Sequence, residues 1–176
     1  MKQDLIDNYN VPENKTTRIY NPVDIEAVNK FADSGENPFE NCSSSPNIVA
    51  VGRLEYQKGF DRLLRAMPRL LKEWPHAKLW LLGEGSLEKE LKDQCIRLEI
   101  AENVEFVGFQ KNPYVWLKHA DLFVLSSYYE GLPNVLLEAI ACGCPVVTVD
   151  HPGGTREIME RLGLKDRLKN NELTFS

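Results

Sequence analysis

Two glutamates, Glu130 and Glu138, bracket the stretch EGLPNVLLE with seven residues between them. Glu138 is the only charge in the otherwise apolar run 135–142. A carboxylate in such a run is costly unless something meets it. Gly131, Leu132 and Pro133 form a turn into a helix expected to start at Asn134, whose free N–H groups suit an anion. Asn134 and Glu138 then share one helix face, with Val135 in the first turn. Earlier in the chain, GRLEYQKGF places Gly52, Arg53 and Lys58 between an apolar strand and a helix. Two cations beside helix N–H groups suit a diphosphate. Cations for phosphate and carboxylates for hydroxyls together describe a nucleotide-sugar. Taken singly, each residue has a plainer account: solvated surface cations, a loop acid at Glu130, and a partner for the helix dipole at Glu138.

Three further loops bear on the same question. GEGS holds Gly83 and Glu84 in a turn where glycine lets a ligand approach the backbone, and Ser86 is placed to cap the next helix. GFQKNP offers Phe109 and Gln110 for a base or sugar, although an ordinary turn before Pro113 explains it as well. HPGGTREI carries His151 just past a strand, where a lone histidine is more often structural than catalytic. GxxxxGK[ST] and GxSxG are absent, and the third glycine of GxGxxG would fall at Glu88. A P-loop, a nucleophile elbow and a dinucleotide fingerprint are therefore not indicated. Cys142 and Cys144 form a CxC with no second Cys/His pair to complete a zinc set, so no metal site is expected.

These loops need a frame. Apolar runs at 47–52, 77–83, 103–108, 121–127 and 145–150 read as buried strands. Helical patterns intervene at 60–74, 86–98, 113–119 and 134–142, and Gly153-Gly154 opens a last helix to about residue 162. Pro68 is expected to kink or break the first of these. Regular alternation with continuously apolar strands implies an α/β fold: a Rossmann-like, doubly wound parallel sheet with helices on both faces. Ligands of such sheets bind at the carboxyl ends of the strands, where all of these loops lie. Residues 1–46 read differently: a helix end at 4–9, a short strand at 17–20, then a polar linker or surface loop.

Composition narrows the field further. The chain is 43% apolar and 27% charged, with a net charge of −5, so no broad basic face for nucleic acid is implied. No apolar run approaches the roughly 20 residues of a membrane span, and the start MKQDLIDNYN lacks a signal-peptide pattern. A cytoplasmic setting with four reduced cysteines fits.

The ordered set VGRLEYQKGFDRLLRA, LLGEGS, VEFVGF, ADLFVLSSYYEGLPNVLLEAIACGCPVV and GGTREI resembles retaining glycosyltransferases of group 1, also called family 4. The likeness covers roughly residues 10–160, and YNPVD (20–24) is similar to that family's segment between its two domains. The resemblance implies one half of a GT-B enzyme. It implies that residues 1–46 are the end of a preceding domain and a linker, and that residues 47–176 are a donor-binding domain truncated at its C-terminus. It implies that Arg53 and Lys58 meet the donor diphosphate, Glu130 the transferred sugar, 131–135 phosphate or sugar, and Glu138 the ribose. Gly83, Glu84, Phe109 and Gln110 would then lie near the base or ribose. Transfer with retention, no divalent metal and no cofactor beyond the donor, a UDP-sugar or GDP-mannose, are implied too. The acceptor, a glycan or lipid-linked sugar, and any peripheral membrane contact would belong to the missing N-terminal domain, leaving this chain inactive alone. Two other readings are a stand-alone nucleotide-sugar module and an NAD-binding domain, the latter disfavoured by the failed fingerprint.

Overall fold

The computed structural model describes residues 2–17, 19–40, 42, 46–150 and 154–163. Five parallel strands, β1 (Asn47–Val51), β2 (Lys78–Leu82), β3 (Val104–Gly108), β4 (Leu122–Leu125) and β5 (Val146–Thr148), lie in the order β3-β2-β1-β4-β5. Parallel neighbours need long crossovers, and helices supply them: α3 (Phe60–Glu73), α4 (Glu88–Arg97), α5 (Tyr114–His119) and α6 (Asn134–Ala141). A last helix, α7 (Gly154–Arg161), follows β5; the expected start at Gly153, like His151, lies outside the described residues.

The strands are apolar throughout because both faces are covered. Ile48, Ala50, Leu79 and Leu81 join Phe60, Leu63, Leu64 and Met67 of α3 and Leu91 and Cys95 of α4 in one core. Val49, Trp80, Leu82, Phe123 and Leu125 point the other way, into a second core with Leu117, Leu136 and Ala139. Alternate residues of each strand thus serve opposite layers, as the pleat requires.

Three local expectations are corrected. Helix α3 continues through Pro68, so of the expected kink or break the break does not occur. Its apolar stripe continues beyond the proline to Leu70 and Leu71, which pack on the same core. That packing holds both halves against the sheet and offsets a proline cost of about 3 kcal/mol. Ser86 does not cap α4, which starts two residues later without a side-chain cap. Its N–H and hydroxyl both donate to the Glu55 carboxylate, at 3.2 and 3.1 Å. The described residues of 17–20 form no strand.

The polar stretch after residue 20 contains a helix that the sequence reading lacks. Helix α2 (Ile25–Ala32) is capped by Asp24, whose carboxylate accepts from Ala27 N–H at 2.9 Å. Its Val28 and Ala32 are buried, and it packs on α5 and α6. Phe39 follows it into the second core, with Trp80 and Trp116 at ring separations of 5.5 and 5.4 Å. A further helix, α1 (Lys2–Tyr9), matches the expected helix end at 4–9.

Candidate functional site

The strand order changes direction at β1: β2 and β3 lie to one side, β4 and β5 to the other. Such a switch point opens a crevice at the carboxyl ends of the two strands that flank it. The loops that leave β1 and β4 there carry Lys58 and Glu130.

The two loops are held in register by backbone. Tyr128 N–H donates to the Gln57 carbonyl at 2.8 Å, and the Gln57 amide returns to the Tyr129 carbonyl at 3.1 Å. Ser126 Oγ donates to the Lys58 carbonyl at 2.9 Å. Tyr56 stacks on Tyr128 with ring centroids 4.7 Å apart, and the Arg62 guanidinium covers the Tyr128 ring at 4.3 Å. Gly59 closes the short 3-10 turn Tyr56–Lys58 in left-handed geometry, with φ +60°. A β-carbon there would stand 2.3 Å from the Ser126 carbonyl oxygen, so the backbones approach as only glycine permits.

This apposition brings Lys58 Nζ to 2.7 Å from Glu130 Oε1. Their side chains are 18% and 8% exposed, which shields the pair from most solvent screening. Ser127 Oγ donates to the same oxygen at 2.8 Å. One carboxylate oxygen of Glu130 therefore takes two donors. Lys58 and Glu130, expected to face phosphate and sugar respectively, are direct partners. Arg53 is exposed at the mouth of the same loop, and among the described residues its guanidinium makes no ion pair or hydrogen bond.

The turn 131–133 leads into α6 as expected. The Gly131 carbonyl accepts from Gly154 N–H at 2.8 Å, which ties the turn to the start of α7. A β-carbon on Gly154 would lie 2.2 Å from that carbonyl oxygen. Helix α7 is itself anchored by Arg156, whose guanidinium donates to both carboxylate oxygens of buried Asp150 at 2.9 and 2.6 Å. Leu132 and Val135 pack on the second core, Pro133 is buried, and Asn134 is exposed at the first turn. Asn134 Oδ1 accepts from Asn21 Nδ2 at 3.0 Å, linking the segment 20–24 to the start of α6. Tyr20 donates to Glu157 and accepts from Arg161 at 3.2 Å, so that segment is fastened to α7 as well.

Among the described residues Glu138 has no bond to the Lys58–Glu130 pair. It is half-buried on α6, and among the described residues its carboxylate has no hydrogen bond or ion pair. Burial pushes its carboxyl above the usual glutamate range. Its charge also acts on two neighbours. Burial first and Glu138 second raise the Tyr114 phenol and push the Cys142 thiol up to about 11. A half-buried acceptor without a donor is suited to a ligand hydroxyl.

The loops after β2 and β3 meet each other. Gly83 N–H donates to the Gly108 carbonyl at 2.8 Å, and a β-carbon on Gly83 would lie 2.0 Å from the Gly52 carbonyl oxygen. The Glu84 carboxylate accepts from Phe109 N–H at 3.4 Å, while the Phe109 ring is 71% exposed. The Gln110 amide turns back to the Val107 carbonyl at 3.4 Å. Thus Gly52, Gly83, Glu84 and Phe109 form one cluster on the β2 side of the crevice, and Glu130 to Val135 another on the β4 side. Lys58 joins the two.

Sequence reasoning missed Gln57, Ser126 and Ser127. The pair Ser126–Ser127, which ends an apolar strand three residues before an acid, was the available signal. Among the described residues no group of three or more His, Cys, Asp and Glu side chains is placed to hold a metal, and no helix is long and apolar enough to cross a membrane.

The family model for glycosyl transferases group 1 matches residues 36–163. The chain belongs to that family. Among curated relatives, an uncharacterized glycosyltransferase of Methanocaldococcus jannaschii is 35% identical over 89% of this chain and 39% of its own length. A second, from Campylobacter jejuni, is named N-acetylgalactosamine-N,N'-diacetylbacillosaminyl-diphospho-undecaprenol 4-alpha-N-acetylgalactosaminyltransferase. It is 34% identical over 98% of this chain and 46% of its own length. The chain thus spans less than half the length of either relative. In fold it matches Anabaena HepE, solved in complex with UDP, with a TM-score of 0.76 at 24% identity over 89% of this chain and 44% of HepE. The expected Rossmann-like half of a GT-B architecture is the fold of this group 1 chain.

Proposed function

We propose that this chain is the donor-binding part of a glycosyltransferase that moves a hexosyl group from a nucleotide-sugar to a glycan or lipid-linked acceptor, with retention at the anomeric carbon. The observation that carries the reading is the Lys58–Glu130 contact at the switch point, with Arg53 uncommitted beside it. Lys58 has three N–H donors and spends one on Glu130, so the others can hold a diphosphate oxygen. Arg53 adds a fork of donors suited to phosphate. Together they stabilise the charge that develops on the diphosphate as its bond to the anomeric carbon breaks. Glu130 faces the transferred sugar, and the backbone of 131–135 meets sugar or phosphate. Glu138 accepts from the ribose hydroxyls. Glu84 and the Gly108–Phe109 turn border the base.

Similarity to group 1 glycosyltransferases along nearly the whole chain supports the transferase class. HepE, which shares the fold, binds UDP in its crystal structure, and a UDP-sugar or GDP-mannose suits the crevice proposed here. Residues 1–46 are read as the end of a preceding domain and its connection, 47–176 as the donor domain, and acceptor groups as lying in the preceding domain. The compartment proposed is the cytoplasm. Calorimetric titration of the purified chain with UDP, GDP, ADP and NAD, without added metal, tests the reading. Saturable binding of UDP or GDP is expected, without turnover by this chain alone. Binding of NAD only overturns the assignment, and sustained glycosyl transfer overturns the claim of inactivity.

A further inference from the structure

We infer that Ser127 is a positioning residue that acts through Glu130 and lets the site distinguish a nucleotide-sugar from the bare nucleoside diphosphate. The inference rests on the donor-site reading above. Ser127 is 1% exposed and lies two residues past β4, next to Tyr128, whose N–H is bonded to the Gln57 carbonyl, so its backbone is held between the strand end and the neighbouring loop. Its hydroxyl donates at 2.8 Å to Glu130 Oε1, the oxygen that Lys58 Nζ also meets at 2.7 Å. Two donors on one oxygen saturate it and leave Oε2 as the acceptor turned to the ligand.

The division of labour is physical. The terminal torsion of a glutamate is broad, so one bond from a long, mobile lysine does not fix the carboxylate plane. A hydroxyl on a short side chain at a strand end does, because it has almost no freedom to follow the carboxylate. The neighbouring serine performs the matching task on the other loop: Ser126 Oγ holds the Lys58 carbonyl at 2.9 Å. Adjacent serines thus fix opposite members of the Lys58–Glu130 pair. Without Ser127, Lys58 still reaches a diphosphate, but Glu130 no longer presents Oε2 in one place. The loss falls on the ligand that has a sugar.

The test is calorimetric titration of the full chain with UDP, UDP-glucose, GDP and GDP-mannose. The variants are wild type, Ser127→Ala, Ser127→Cys and Ser127→Thr, each also measured in a Glu130→Ala background. Alanine and the weakly donating cysteine are expected to lose about tenfold more affinity for the nucleotide-sugar than for its diphosphate, the effect of one hydrogen bond to a charged group. Threonine, which keeps the hydroxyl, restores the preference. In the Glu130→Ala background the Ser127 substitutions have no further selective effect, as a residue acting through Glu130 requires. Equal losses for both ligands, or a selective loss that persists without Glu130, overturn the inference and leave the donor site standing. No nucleotide binding by the wild type overturns the donor-site reading, and this inference with it.

Discussion

Gly59 and Gly143 separate two costs that glycine substitutions usually mix. Both hold left-handed backbone, at φ +60° and +73°. At Gly143 an added β-carbon meets nothing within 4 Å, whereas at Gly59 it lies 2.3 Å from the Ser126 carbonyl oxygen. Gly143→Ala therefore incurs the conformational cost alone, about 1–2 kcal/mol. Gly59→Ala incurs the same cost plus overpacking of about 1–3 kcal/mol, because the obstacle is backbone and cannot rotate away. The predicted total is about 2–5 kcal/mol. Urea unfolding followed by tryptophan fluorescence resolves the gap: at constant slope the midpoints should differ by on the order of 1 M. Gly59→Ala should also weaken UDP or GDP binding, since relief of the clash separates the loops that hold Lys58 and Glu130, while Gly143→Ala should not. Equal unfolding midpoints would refute the close backbone contact on which the site geometry depends.

Other outcomes follow from the same geometry. Arg53→Ala should lower UDP or GDP affinity by about 1.5–3 kcal/mol, the worth of a charge-assisted bond, with an unchanged unfolding midpoint; intact affinity removes Arg53 from the site. Glu138→Gln should stabilise the fold at neutral pH. The Glu138 carboxyl is raised by burial, so its ionised form weakens the fold above its folded pKa, and the advantage of glutamine should vanish below the ordinary glutamate range of about 4.3. The same variant should bind nucleotide more weakly; a destabilised protein with intact affinity would make Glu138 a partner of the helix dipole instead. Burial pushes the thiols of Cys95, Cys142 and Cys144 up to about 11, 11 and 12. At pH 8 they hold at most about one thousandth as thiolate, so maleimide labelling of the native chain, read by mass spectrometry, should be more than 100-fold slower than for an ordinary cysteine. Prompt labelling of Cys144 would contradict its packing.

The sheet was legible because its strands are apolar on both faces and its helices carry stripes at the right period. Ile48 and Val49 serve opposite cores, so neither position tolerates a polar residue and the run stands out. The loops were legible as candidates because phosphate and hydroxyl recognition need few residue types. What stayed hidden was pairing across long sequence distances. Nothing near Lys58 announces that Glu130, 72 residues later, will accept a hydrogen bond from its ammonium. Ser86 looked like a helix cap because the sequence does not show Glu55 reaching it first. Pro68 looked like a breaker because local propensity omits the packing of Leu70 and Leu71. Helix α2 was missed because its polar surroundings resemble a linker and it precedes the regular alternation of strand and helix; its apolar face and its cap at Asp24 were both there to read.

The two outer strands of the sheet have a consequence for how the chain behaves in concentrated solution. Among the described residues, β5 is three residues long, which offers little backbone for another chain to pair with. Strand β3 is longer, but its pairing with β2 shifts register between Leu81 and Leu82, and Gly83 and Gly108 end it with an antiparallel bridge. Exposed Glu105 adds a charge in its middle. Short length, irregularity and an outward acid are the features that prevent edge-to-edge growth of sheets. The borders of this sheet therefore resist templating other copies, and β-type self-assembly should have to begin elsewhere in the chain.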